Sequence, residues 1–385
     1  MRLETLKLLF KKHKEVSLFN RYIHSENITP LLEKLALKCE VLVVGKSVLQ
    51  ENIYTITIGS GPKKILMWSQ MHGNESTTTK AIFDLLNLLI DKNEVSNTIL
   101  NACTIQIIPI LSPDGAKAYT RINANQVDLN RDAQNLTQPE SMVLKNCFDV
   151  FKPDFCYNLH GQRTIFSAGN TNNSATVSFL APAQDENCTI TSNRKRAMEV
   201  IAVMNDNLQL QIPNRVGIYD DAFNINCVGD TFQTYNVPTI LFEAGHYQRD
   251  YKREIVREYI FQSLLVSLSY IANTAVLGDS YVGYLAIPEN QKCFYDIIIR
   301  NARIEDEGEL LDVVIQYQEK LINNRVAFLP RIEKFTKLNV YFSHKEYDAR
   351  GGVLKTMKKE PIFEGYENDL VMLNGESISL KLAES

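Results

Sequence analysis

The strongest constraint on this chain is a set of apolar runs with no polar alternation, separated by stretches of helical periodicity. The runs are ILMWSQ (65–70), TIQIIPIL (104–111), PDFCYNL (153–159) and VPTILFE (237–243). A strand with one face in water alternates apolar and polar residues, whereas a continuous apolar run reads as a strand covered on both faces. The segments between them carry the 3.6-residue period. In STTTKAIFDLLNLLID (76–91), Ile82, Leu85, Leu86 and Leu89 share one face behind a Ser/Thr cluster able to cap the helix. PESMVLKNCFDVF (139–151), the segment 192–210 and the segment 251–273 read as further helices. VLVVGKS (41–47) and IYTITIG (53–59) read as paired strands, and the first 40 residues as helical with a polar break at SENITP (25–30). The expected fold is α/β, with a mixed, mostly parallel central sheet and helices on both faces.

Near residue 280 the texture changes. DIIIRN (296–301), LLDVVIQY (310–317), KLNVYFS (337–343) and SISLKL (377–382) are short and rich in β-branched and aromatic residues, with no helical period. Two domains are expected: a catalytic domain over 1–279 and a small β-rich domain over 280–385.

Composition excludes several classes. With 45% hydrophobic and 22% charged residues, the 385-residue chain is neither disordered nor low-complexity. A net charge of −4 offers no basic field for nucleic acid or an anionic membrane. Residues 1–19 contain no signal-peptide core, and no apolar stretch is long enough to span a bilayer. Seven scattered cysteines with no C-x-x-C pair suggest reduced thiols and a cytoplasmic location.

Four places carry candidate chemistry, and three of them fall at or just after the end of an expected strand, where open α/β sheets bind ligands. M-H-G-N-E puts His72 and Glu75 one turn apart, so an imidazole and a carboxylate can meet on one ion. L-H-G-Q puts His160 at the next strand end, able to supply a third ligand. Catalytic zinc takes three such N and O ligands and keeps a fourth position open. The loop R-I-N-A-N-Q-V-D-L-N-R-D offers Arg121, Asn130 and Arg131, and an arginine fork matches a carboxylate. T-I-L-F-E-A-G ends an apolar strand on Glu243, where desolvation raises a carboxyl pKa toward the range of a general base.

The order H-x-x-E, Arg, N-R, His, Glu, together with G-K-S, I-G-S-G, S-P-D-G and D-L-N-R, resembles the zinc carboxypeptidase family, the carboxypeptidase A/B-like metallopeptidases, over roughly residues 30–275. The resemblance implies one zinc ion held by His72, Glu75 and His160, with Glu243 as general base and Arg121 facing the developing oxyanion. It implies that Asn130 and Arg131 clamp the substrate's terminal carboxylate and that Tyr219, 24 residues before Glu243, gates the substrate; Tyr235 competes for that role. The implied partner is a peptide or acyl-amino-acid substrate with a free carboxylate. Gly161, Gln162 and Arg163 follow His160 where digestive members have Ser and Tyr, which leaves the substrate pocket open; Asp220, Asp221 and Asp230 are candidates to line it. The related aspartoacylase/succinylglutamate desuccinylase group shares H-G-N-E and D-L-N-R and carries a β-rich C-terminal domain, so an N-acyl-amino-acid amidohydrolase stands as the alternative. A non-catalytic relative that binds peptide carboxylates is the third reading.

Overall fold

The computed structural model describes residues 1–382, which form two compact units. The first comprises Met1–Gln162 and Ala175–Asn290; the second comprises Arg163–Ser174 and the chain from Gln291 onward. The division thus falls at 290/291, beyond the expected 279/280. The short helix Val282–Leu285 belongs to the first unit because Tyr284 is buried in its core and its hydroxyl accepts from the Ala181 amide at 3.4 Å.

The first unit begins with α1 (Leu3–His13) and α2 (Ser25–Leu35), followed by strands β1 (Glu40–Lys46), β2 (Asn52–Ile58) and β3 (Lys63–Ser69). Helices α3 (Thr77–Leu89) and α4 (Glu94–Ala102) lead to β4 (Cys103–Ile108), then α5 (Pro113–Ala118), α6 (Pro139–Phe151) and β5 (Phe155–Gly161). The short β6 (Phe166–Ala168) counts with the second unit. The chain returns with β7 (Val177–Leu180), α7 (Ser192–Gln209), β8 (Val216–Ile218), α8 (Val228–Thr234), β9 (Thr239–Ala244), α9 (Glu254–Asn273) and α10 (Val282–Leu285).

Eight strands form one mixed sheet in the order β1-β2-β4-β3-β5-β9-β7-β8. Its centre, β4-β3-β5-β9, is parallel, while β1-β2, β2-β4 and β9-β7 are antiparallel. The unbroken apolar runs are explained by burial on both faces. Ile65 and Met67 of β3 enter one core with Tyr157, Leu159 and Phe242, while Leu66, Trp68 and Cys156 enter a second core with Phe148 of α6 and Phe232 of α8.

SENITP does not break the helical region: it starts α2. Ile28, Leu31, Leu32 and Leu35 are buried at helical spacing, so its polar residues are that helix's outer face, and Pro30 sits inside it. The chain between α1 and α2 is pinned by a buried ion pair. Arg257 of α9 meets Asp84 of α3 at 2.6 Å, both fully buried, and donates to the carbonyls of Leu18 and Glu15. Such a pair holds geometry more than it adds stability.

The second unit pairs β6 with β10 (Asn290–Lys292). It also contains β11 (Phe294–Ala302), β12 (Leu311–Ile322), β13 (Arg325–Thr336) and β14 (Phe342–Asp348) in the order β13-β12-β11-β14, and a smaller sheet of β15 (Leu354–Lys355), β16 (Leu370–Leu373) and β17 (Glu376–Ser379). Strand β13 is not evident in the sequence because Pro330 reads as a breaker; it is tolerated because β13 is an edge strand. The strand expected at 337–343 begins instead at Phe342, because Asn339 takes a left-handed φ of 61° and donates its amide to Asp312 at 2.8 Å.

Candidate metal centre

The H-x-x-E turn leaves β3 through Gln70, whose φ is +44°. The Gln70 amide donates to the Gly73 carbonyl at 2.8 Å and to the Ile23 carbonyl at 2.9 Å. At position 73 only glycine fits, since a Cβ there would lie 1.9 Å from the Gly115 carbonyl carbon in the S-P-D-G turn. This close backbone contact aims His72 and Glu75 at the same point. His72 Nδ1 lies 2.9 Å from Glu75 Oε1.

His160 comes from inside β5 rather than from a loop after it. Its Nδ1 is 3.2 Å from His72 Nδ1 and 3.0 Å from Glu75 Oε2. One ligand atom from each of His72, Glu75 and His160 lies within 4.8 Å of the others, and both imidazoles are 2% exposed. Two imidazole nitrogens and a carboxylate converging from buried positions are the donor set that zinc favours, so the residues fit the ion. Burial drives the His160 pKa down. The same effect on His72 is outweighed by the carboxylates of Glu75 and Asp128, so its pKa rises, and Glu75 falls well below the usual range because the two rings overcome its burial.

Parallel register places Glu243 of β9 directly beside His160. Opposed residues on neighbouring strands share a face, so the carboxylate and the His160 ring stand side by side. Glu243 Oε2 is buried and has no hydrogen-bond partner among the described residues. Burial, followed by the charge of Glu75, pushes its pKa well above the ordinary value.

Arg121 is about half exposed and reaches Glu75 at 3.4 Å and Asp128 at 3.0 Å. Asn130 and Arg131 lie in a single 3-10 turn, Leu129–Arg131. The Asn130 Oδ1 accepts from the Val228 amide at 3.1 Å, tying the turn to α8, and Arg131 is exposed with Nη1 on the Asn130 carbonyl at 2.7 Å. Tyr219 follows β8; burial raises its pKa, and the charges of Glu243 and Glu75 raise it further. The competing Tyr235 is exposed and packs on Phe148, Phe232 and the Lys145 ammonium. Of the upstream acids, Asp221 is paired with Arg194, Asp220 is exposed, and Asp230, pushed up by burial to about 6, accepts from the Asn224 amide.

One residue of the centre was not singled out from sequence. Asp128 accepts from His72 Nε2 at 3.0 Å and receives Arg121 Nε at 3.1 Å. A carboxylate behind a ligating imidazole fixes its tautomer and raises its basicity. The only sequence signal is its place two residues before Asn130 in D-L-N-R. Asp128→Ala is expected to weaken zinc binding by roughly 10–100-fold. Competition with a chromogenic chelator reads this directly, and an unchanged affinity would remove Asp128 from the centre.

The family model described as zinc carboxypeptidase matches residues 28–207, which include His72, Glu75, Arg121, Asn130, Arg131 and His160 but end before Tyr219 and Glu243. Carboxypeptidase SOL1 of Arabidopsis thaliana is 26% identical over 163 residues, covering 36% of this chain and 33% of that protein. The chain spans about a third of the length of the curated relatives it matches. Carboxypeptidase A from Helicoverpa armigera superposes with a TM-score of 0.53 at 17% identity, covering 71% of this chain and 81% of that one. A metallo-carboxypeptidase from Pseudomonas aeruginosa superposes with a TM-score of 0.50 at 18% identity, covering 63% and 68%. These likenesses extend to the fold.

Proposed function

We propose that this protein is a zinc-dependent carboxypeptidase that hydrolyses the C-terminal amide bond of peptides, a reading supported by the zinc carboxypeptidase family model that matches residues 28–207. The observation that carries this reading is the set of three donors within 4.8 Å, with Glu243 beside His160 on the next strand. His72, Glu75 and His160 would hold the ion, which when bound supplies a Lewis acid that polarises the scissile carbonyl and lowers the pKa of water. Glu243 takes the proton from the attacking water and passes it to the leaving amine as the C–N bond breaks. Its unpartnered Oε2 suits that task, since no donor among the described residues occupies the lone pair that must accept the proton. Arg121, close to Glu75 and partly exposed, faces the charge that develops on the carbonyl oxygen. Asn130 and Arg131 bind the terminal carboxylate, and Tyr219 closes over the substrate. A cytoplasmic location, which seven scattered cysteines without a C-x-x-C pair suggest, is part of this reading.

The β-rich second unit favours one further reading, an N-acyl-amino-acid amidohydrolase that uses the same centre. Zinc-loaded protein should be offered acyl-dipeptides with a free C-terminus, the same compounds amidated at the C-terminus, and N-acyl amino acids. The peptidase reading expects the free dipeptides to be cleaved and the amidated ones to be at least about tenfold poorer, because hydrogen bonds to a charged group are lost. Cleavage of N-acyl amino acids alone would transfer the assignment to the amidohydrolase. No cleavage with zinc bound would leave a binding protein.

A further inference from the structure

Beneath the metal centre the sheet carries a second row of side chains on the same face. Register aligns Trp68 of β3 with Asn158 of β5, Asn158 with Leu241 of β9, and Leu241 with Leu180 of β7. Asn158 and Leu241 lie two residues before His160 and Glu243 of the upper row. The lower row is apolar except for two groups. Asn158 is fully buried, and neither its Oδ1 nor its Nδ2 has a hydrogen-bond partner among the described residues. Trp68 is also fully buried, and its indole N–H is likewise unpartnered. An orphaned carboxamide is uncommon, because each unsatisfied group carries its full desolvation penalty. Two adjacent orphans, together offering donors and one acceptor, are a stronger signal than either alone.

The sheet face is not closed above this row. Leu241 lies in an interior strand, and its neighbours Ile240 and Phe242 are fully buried on the other face, yet Leu241 itself keeps solvent-accessible surface. The opposite wall is α8, whose Phe232 meets the Trp68 ring edge-on at 5.4 Å and whose Val228 amide is held by Asn130. In the peptidase reading, a C-terminal residue held by its carboxylate at Asn130 and Arg131 would have to place its side chain over Leu241, between the sheet and α8, to meet this row.

We infer that this lower row is the specificity pocket and that Asn158, with Trp68, selects a released residue bearing an uncharged carboxamide, glutamine or asparagine. The inference rests on the peptidase reading above. A carboxamide oxygen accepts from Asn158 Nδ2 or the indole N–H, and its NH2 donates to Asn158 Oδ1. No lysine or arginine stands in the row to receive an acidic side chain. The upstream acids do not make it a pocket for basic side chains: Asp221 is paired with Arg194, Asp220 is exposed, and Asp230 accepts from the Asn224 amide.

The test is kcat/KM of the zinc-loaded protein on acyl-dipeptides ending in Gln, Leu, Lys or Glu, for wild type, Asn158→Leu and Trp68→Phe. Wild type should prefer Gln. Asn158→Leu replaces an orphaned amide with an apolar isostere and so should fold at least as well as wild type. It should lower the Gln-to-Leu ratio by about 10- to 100-fold, the factor set by stranding the substrate amide. Trp68→Phe removes the N–H together with part of the ring system and should lower the same ratio by a smaller factor. A wild-type preference for Leu, Lys or Glu, or an unchanged ratio in Asn158→Leu, would overturn the pocket assignment while leaving the peptidase reading intact. Failure of the wild type to release any C-terminal residue would overturn both.

Discussion

Glu243→Gln should reduce kcat for peptide hydrolysis by about 10²–10⁴-fold, the usual contribution of a positioned general base, while zinc content stays at about one per chain. Glutamine has the same shape and packing as the carboxylate it replaces but cannot accept the proton of the attacking water. Glu243 is not one of the three converging donors, so the ion should be retained. Folding should not be the limiting factor. Burial has raised the Glu243 pKa, so the charged form is the one the fold disfavours. A carboxyl whose pKa is higher folded than unfolded binds its proton more tightly in the native state. Its contribution is intact below the unfolded value and is lost as pH rises. In metal-free protein, Glu243→Gln should therefore flatten the loss of stability above the ordinary carboxyl value of 4.5. Parallel measurements of kcat, zinc content and melting temperature across pH separate the effects. Full activity in the zinc-loaded variant would end the assignment of Glu243 as the base.

Removing a ligand should have the opposite signature. His160→Ala is expected to abolish stoichiometric zinc, from about one ion per chain to near none after dialysis, and activity with it. Two ligands remain, but a site of one imidazole and one carboxylate lacks the third donor that zinc sites in enzymes use. The cavity left by the ring lies next to Glu75, whose second oxygen would keep only the Gly161 amide at 3.0 Å. Wild-type protein stripped by a chelator should regain activity when zinc is returned, and the variant should not. Elemental analysis before and after readdition decides the matter. Zinc retained in His160→Ala at the wild-type level would show that the ion, if bound, is held elsewhere.

Much of this centre is legible in the linear order of residues because its parts are local. His72 and Glu75 are one turn apart, and a turn of that length brings any such pair together. The apolar runs around them announce a sheet covered on both faces, since alternation is lost only when both faces are buried. The errors are local too. SENITP reads as a break because its residues are polar, yet Ile28 and Leu31 give it a buried face. Residues 325–336 are passed over because Pro330 is disfavoured in a strand unless the strand lies at an edge, and only the sheet order reveals that β13 does.

The sequence alone thus determined the fold class and put forward the three converging donors and the candidate base, because periodicity and short spacings follow from backbone geometry. The tertiary structure decided what lies between segments far apart in the chain. Strand register put Glu243 beside His160 and Asn158 beside Trp68. Packing of the D-L-N-R turn put Asp128 behind His72, 56 residues away. Whether a buried amide such as Asn158 has a partner depends on every element that closes around it. The physical reason is that register and packing are set by the summed burial of many side chains across the sheet, a property no single stretch of sequence contains.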